Sequence, residues 1–317
     1  MTTYCILNPS SEKNTMNELT QCGINISMNK SNMVMYTDVA ILLKGEIYNL
    51  QTWISNLHLP LETTAEDIII HLYKKYGIEY TLQLIDGVFS FILLDYCYDN
   101  IISNVYIVKD ALGIIPFYCF TNNKTTLFTS SKIIPDTFIE HTLLPGSYTI
   151  YDLGYKVNAE WVVSQIKNRS YFVVPNSVIT DSVDNYSVYL YQLYKCMKKT
   201  ILNIAPNSII GENANDVVKQ LFSQMDYQHD KYNHIVIYDD VNKKFIHFSP
   251  MNFFMDPSTF VDMFEYDYNI RKQLYLTTFE PDKRYPFYDK SFIQLYFSIP
   301  LHIRYHYHKQ LFYIDNI

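Results

Sequence analysis

The sequence predicts an α+β first half followed by a small α/β unit. Three observations carry that prediction. Apolar residues recur at helical spacing over 47–58 and 65–77. Short β-rich segments separated by turn residues fill 87–152. Beyond residue 186, helix-like and strand-like stretches alternate.

TYCIL (3–7) opens the chain as a strand, and the polar, Asn- and Ser-rich residues 8–32 read as loop. Residues 33–43 return to strand, which breaks at Gly45, where a residue without Cβ lets a ligand or another chain come close. Ile47, Leu50, Ile54 and Leu57 then mark a helix over 47–58. Thr63 or Thr64 caps the next helix, with Glu66 and Asp67 in its first turn and Gly77 as its stop.

The period then shortens. GVFSFILLDY (87–96), NVYIVKD (104–110), PFYCFT (116–121), TLFTSS (126–131) and GSYTIYD (146–152) suit antiparallel strands with short connections. Asn, Ser, Asp and Pro175 crowd into 153–185, which predicts a domain boundary there and domains over 1–165 and 185–317. The second domain opens with a helix over 186–202. A strand NSIIG, a helix NANDVVKQLFSQM and a strand HIVIYDD (234–240) follow, which predicts a mainly parallel unit. Further helices are expected near 257–275 and 289–298.

Composition narrows the function classes. The 317 residues are 48% hydrophobic and 16% aromatic, enough for packed cores in one large or two ordinary domains. Thirty Tyr and 19 Phe against 8 Gly fit the coding bias of an AT-rich genome. A net charge of -7 without a basic block argues against nucleic-acid binding. Cys5, Cys22, Cys97, Cys119 and Cys196 form no C-x-x-C pair, so neither a disulfide framework nor a zinc ribbon is expected. No signal peptide and no membrane-crossing run is read. A cytoplasmic, reducing location is expected, without membrane association.

Seven phrases stand in one order: KGEIYN (44–49), AEDIIIHLYKKYG (65–77), LIDGVFSFILLD (84–95), VKDALGIIPFY (108–118), LFTSSK (127–132), LLPGSYTIYD (143–152) and RYPFYDKSFIQLYFSIP (284–300). In that order they resemble the glutamine-dependent asparagine synthetases. There the first six read roughly NGEIYN, DTEVILHLYEKYG, LNGMFAFALYD, ARDPLGIKPLYY, FASEIK and LPPGHYL, and the last RVPFLDHRLVEFALSLP. The resemblance implies an N-terminal-nucleophile hydrolase sandwich (αββα) that serves as a glutamine amidotransferase domain. After it would come a small α/β domain, a reduced ATP-pyrophosphatase domain.

The resemblance also says where chemistry should sit. Family members attack glutamine with an N-terminal cysteine whose free amine is its own base. Here Thr2 follows Met1, and Thr is a nucleophile in other hydrolases of this fold. Alignment by the strand instead selects Cys5, which would need four residues removed. The plainer account of both is a strand start and a small buried hydrophobe. The family's oxyanion donors, the Asn and Gly of NGEIYN, correspond to Lys44 and Gly45, followed by Glu46. A solvent-exposed strand-end lysine is the expectation for Lys44. The carboxylate that holds glutamine's amine corresponds to Ala65, leaving Glu66 and Asp67 to the helix terminus. The Arg of the family's HRGPD loop has no counterpart between Cys5 and Gly45.

The family's phosphate loop SGGLDSS corresponds to GENAND, Gly211 to Asp216. Its serines are gone, and Glu212 adds charge that repels phosphate. Gly211, Asp216 and Arg284 are the nucleotide-site remnants, with Arg284 and Asp289 also readable as an ion pair. His302, His306 and His308 are read as solvated surface, so no metal site is expected. Tyr186, Tyr189, Tyr191 and Tyr194 are read as core or interface packing. No cofactor is expected. The function expected is a pseudoenzyme working as a structural or interaction module, with a protein partner or as a homo-oligomer. The alternative is an ATP- and Mg-using amide-forming enzyme, either an asparagine synthetase or a cyclase like the β-lactam synthetases.

Overall fold

The computed structural model describes residues 4–9, 18–21, 24–28, 33–36, 38–97, 101–122, 126–130, 138–157, 160–176, 188–189, 191–193, 195–196, 199, 210–211, 229–230, 236–239, 244–247, 260–276 and 289–306. The chain divides into two compact units, Met1–Val173 and Val174–Ile317.

Two six-stranded antiparallel sheets build the first unit. One contains β1 (Tyr4–Pro9), β2 (Glu18–Gln21), β3 (Ile24–Met28), β8 (Tyr118–Thr121), β9 (Thr126–Thr129) and β10 (Ile139–His141), in the order β10-β8-β9-β1-β3-β2. The other contains β4 (Met33–Met35), β5 (Val39–Ile47), β6 (Gly87–Cys97), β7 (Ile101–Lys109), β11 (Ser147–Val157) and β12 (Glu160–Ser170), in the order β12-β11-β7-β6-β5-β4. The sheets meet where Phe128 of β9 packs edge-on against Tyr151 of β11, with ring centroids 5.3 Å apart. The opposite face of the second sheet carries Leu43, Phe91 and Val108, which pack with Ile68, Ile69 and Leu72 of a helix into the main core. Fully burying an aliphatic side chain of this size contributes about 1.5–3 kcal/mol.

That helix is α2 (Ala65–Leu84), preceded by α1 (Leu50–Asn56). Thr64 caps α2 as expected: its hydroxyl accepts from the Asp67 amide, and Asp67 accepts from the Thr64 amide in return. Gly77, expected as the stop, is a kink instead. Its φ of +77° interrupts the helix, and Ile78 and Leu82 remain buried beyond it. Burial of that last stretch offsets the break.

Four differences from expectation have local causes. Residues 8–32 hold β2 and β3, because β1 supplies a ladder partner for β3, and β3 one for β2, that their composition does not advertise. The strand expected over 33–43 is a hairpin, turned where the Tyr36 amide donates to the Val39 carbonyl at 2.8 Å. β5 does not end at Gly45 but pairs with β6 through Ile47. The expected boundary segment 153–185 begins with part of the β11–β12 hairpin, which reaches Ser170, and the division between the units after Val173 falls within it.

In the second unit β13 (Ile210–Gly211) pairs parallel with β14 (His229–Asp230). β15 (Val236–Asp239), the expected 234–240 strand, pairs antiparallel with β16 (Lys244–His247). Only four residues, 240–243, separate the two strands, too few for a parallel crossover. Three helices follow, α3 (Met263–Leu276), α4 (Lys290–Ser298) and α5 (Leu301–His306). Arg304 of α5 is fully buried, 2.7 Å from Asp267 of α3. Its Nε donates to the Ile299 carbonyl. Tyr191, expected in a core or interface, is about half exposed.

Candidate functional site

The site is built from the outgoing end of β5. Lys44 stands opposite Ser90 of β6, and Ser90 stands opposite Lys109 of β7. Residues opposed across a sheet share a face, so the three form one row. Ser90 is buried, and its hydroxyl donates to the Ile115 carbonyl. Lys44 is not the exposed strand-end residue expected. It lies inside the nine-residue strand and is half-buried. Burial lowers its pKa, and no carboxylate among the described residues pairs with it. Burial lowers the Lys109 pKa too, and the neighbouring Asp110 opposes that shift.

Gly45 has φ +113°, and a Cβ there would lie 2.1 Å from the Val88 carbonyl oxygen. The close approach that requires glycine is therefore made by β6, not by a ligand. Glu46, opposite Val88, is half-buried. Asn49, the last residue of KGEIYN, ties the strand exit to the end of α2. Its Nδ2 donates to the Leu84 carbonyl at 2.8 Å, and its Oδ1 accepts from the Asp86 amide at 3.0 Å.

At the start of α2, Ala65 packs against the core and offers no charge. Asp67 is committed to the cap and to the Tyr36 hydroxyl, which donates to it at 2.8 Å. Hydrogen bonds from Thr64 and Tyr36 hold its carboxyl below the usual range against the opposing effect of burial. Cys5 lies in β1, opposite Met28 of β3 and Phe128 of β9. Thr2 lies outside the described residues. So do Asp216, Arg284 and His308. Gly211 lies on β13, opposite Asp230. Asp289, read with Arg284 as an ion pair, is the N-cap of α4, accepting from the Phe292 amide at 3.0 Å. His302 differs from the solvated surface expected: its Nδ1 is buried, without a hydrogen-bond partner among the described residues, whereas His306 is exposed. Among the described residues no group of three His, Cys, Asp or Glu side chains could hold a metal ion.

One buried carboxylate was not singled out by sequence. Asp110 is 1% exposed. Its Oδ1 accepts from the Leu112 and Ile114 amides, both at 3.0 Å, and its Oδ2 from the Ile115 amide at 3.1 Å. Burial raises its pKa to about 6, and the amides pull the other way. The Asp-x-x-Gly pattern of a side chain closing its own turn was the available signal. Asp110 organises the loop that leads β7 into β8.

With this geometry in view, the comparisons are specific. A family model described as a glutamine amidotransferase domain matches residues 21–134. Over those residues the N-terminal unit is similar to a glutamine amidotransferase domain, and its relatives include asparagine synthetases. The glutamine-hydrolyzing asparagine synthetase of Gallus gallus is 30% identical over 152 residues, 44% of this chain and 26% of that protein. The Homo sapiens enzyme is 29% identical over 160 residues, 47% of this chain and 28% of that protein. The chain thus matches only about a quarter of the length of these relatives. Among solved structures, the glutamine phosphoribosylpyrophosphate amidotransferase of B. subtilis covers 72% of this chain. That match takes in 59% of the enzyme, at 11% identity and a TM-score of 0.35. Within the matched residues, Lys44 is a half-buried cation, Ala65 offers a methyl, and the Asp67 carboxylate is already engaged.

Proposed function

We propose that this chain is an asparagine synthetase-like pseudoenzyme whose glutamine and ATP sites have decayed and whose scaffold serves as a structural or interaction module. The observation that carries it is the commitment of Asp67. Ala65 occupies the position that would hold glutamine's amine, and the Asp67 carboxylate two residues on is bound by Thr64 and Tyr36. An oxyanion donor without a site for the amino acid's charged groups does not orient an amide for attack.

In this reading the second unit descends from an ATP-pyrophosphatase domain, with Gly211, Asp216 and Arg284 as its nucleotide-site remnants. No ATP or Mg is required. The protein acts in the cytoplasm with a protein partner or a second copy of itself. No helix among the described residues is long and apolar enough to cross a membrane.

Titration calorimetry with glutamine, and separately with ATP and magnesium, tests the proposal, together with assays for ammonia and pyrophosphate release. No binding heat and no product are expected. Micromolar affinity for either ligand would overturn the proposal. So would ammonia release lost on Cys5→Ala or Thr2→Ala, or pyrophosphate release with aspartate present.

A further inference from the structure

A cleft of about 340 Å³ lies beside α2, away from the Lys44 row. Its floor is apolar, made by Leu57 and Leu59 from the loop after α1 and by Ile70 of α2. Its rim carries His71 and Lys75, and its wall is Tyr36 against Lys74. The volume falls at the small end of the range typical of ligand pockets.

The wall is fixed before any ligand arrives. The Tyr36 hydroxyl donates to Asp67 at 2.8 Å, and Lys74 Nζ lies 2.6 Å from Asp38 and 5.1 Å from the Tyr36 ring centroid. These contacts engage Asp67 and Asp38, and no carboxylate lines the cleft itself. Among the described residues Lys75 makes no ion pair, and its ammonium rests 5.1 Å from the Tyr76 ring centroid. His71 Nδ1 lies 2.7 Å from the Asp67 carbonyl oxygen. A carbonyl only accepts, so Nδ1 carries a proton; Nε2 of the neutral ring is then an acceptor, and the donor to a carboxylate at this rim is Lys75.

We propose that this cleft binds a small monocarboxylate with a branched aliphatic or aromatic body. The body fills the floor over Leu57, Leu59 and Ile70, and the carboxylate meets Lys75 at the rim beside His71. A neutral analogue keeps the apolar contact and loses the charge-assisted hydrogen bond. A cationic analogue adds repulsion. The site does not depend on the fate of the glutamine pocket, because it shares none of the residues Lys44, Gly45 or Ala65.

The test uses the full chain at neutral pH. Isocaproate and hydrocinnamate are titrated beside their primary amides, followed by the His71 ring-proton NMR signals and by calorimetry. The acids are expected to shift the His71 signals saturably at low-millimolar concentrations or below and to bind about tenfold tighter than the amides. Lys75→Gln should remove that difference while leaving amide binding and the melting temperature unchanged. Leu59→Ser should weaken acid and amide alike. Equal affinity for acid and amide overturns the proposal, as does an acid preference that survives Lys75→Gln or an absence of any saturable shift.

Discussion

KGEIYN (44–49) and VKDALGIIPFY (108–118) are both phrases by which the chain resembles the asparagine synthetases, yet they have fared differently. In the second, the carboxylate of Asp110 is met by the amides of Leu112, Ile114 and Ile115. In the first, Gly45 and Asn49 are likewise held by their own chain, at Val88 and at Leu84 and Asp86. Lys44 is the exception, half-buried and without a paired carboxylate among the described residues. The start of α2 repeats the contrast, with Asp67 engaged by the cap and Ala65 standing where the resemblance places a substrate contact. The lesson is physical. A residue whose partner is the chain itself is held by folding free energy. A residue whose partner would be a ligand has no such restraint.

That contrast can be broken by substitution. The largest effect is expected at Gly45→Ala, because the new Cβ would sit 2.1 Å from the Val88 carbonyl oxygen in the middle of a sheet. A loss above about 4 kcal/mol, or failure to fold, should be read by urea denaturation. If Gly45→Ala were tolerated, the glycine would have to answer to a ligand after all. Asp110→Ala should cost at least about 4 kcal/mol in the same measurement, since it leaves three buried amides without an acceptor.

Asp110 also gives a pH signature. Its folded pKa of about 6 lies above the ordinary 3.8, so the folded state holds the proton more tightly. Its contribution to stability is then greatest below about pH 4 and declines on the order of 3 kcal/mol as pH rises through 6. Urea midpoints of the wild type and Asp110→Asn, compared across that interval, should diverge there and run parallel above it. A flat difference would show that the amides at least balance burial.

Two smaller effects sharpen the contrast. Gly77→Ala meets nothing within 4 Å, so only the backbone conformation at φ +77° opposes it. About 2 kcal/mol is expected by thermal melting. Lys44→Asn, which restores the family's residue, should change stability by less than about 1 kcal/mol and in the stabilising direction, because it removes a half-buried charge. It should also yield no ammonia from glutamine, since Ala65 remains.

Much of the first unit was legible because its signals are local. Helical spacing located α1 and α2, Thr64 and Asp67 announced the capping box, and short β-rich runs located β6 through β9. β2 and β3 were not legible, because a polar strand is stabilised by its neighbours rather than by its own side chains. The burial of Lys44 was missed for the same reason. Its exposure depends on Ser90 and Lys109, which are distant in sequence and adjacent only across the sheet.

By itself the sequence determined α1, α2 with its N-cap, β6 through β9 and the family resemblance, all of which reside in residue types at short spacing. Only the tertiary structure decided that Gly45 yields to β6, that Asp110 closes a buried turn, and that Tyr36, Leu59 and Lys75 line one cleft. The reason is that a strand register or a buried hydrogen bond is fixed by the packing of segments far apart in the chain. Such contacts leave little local trace in the residues that make them.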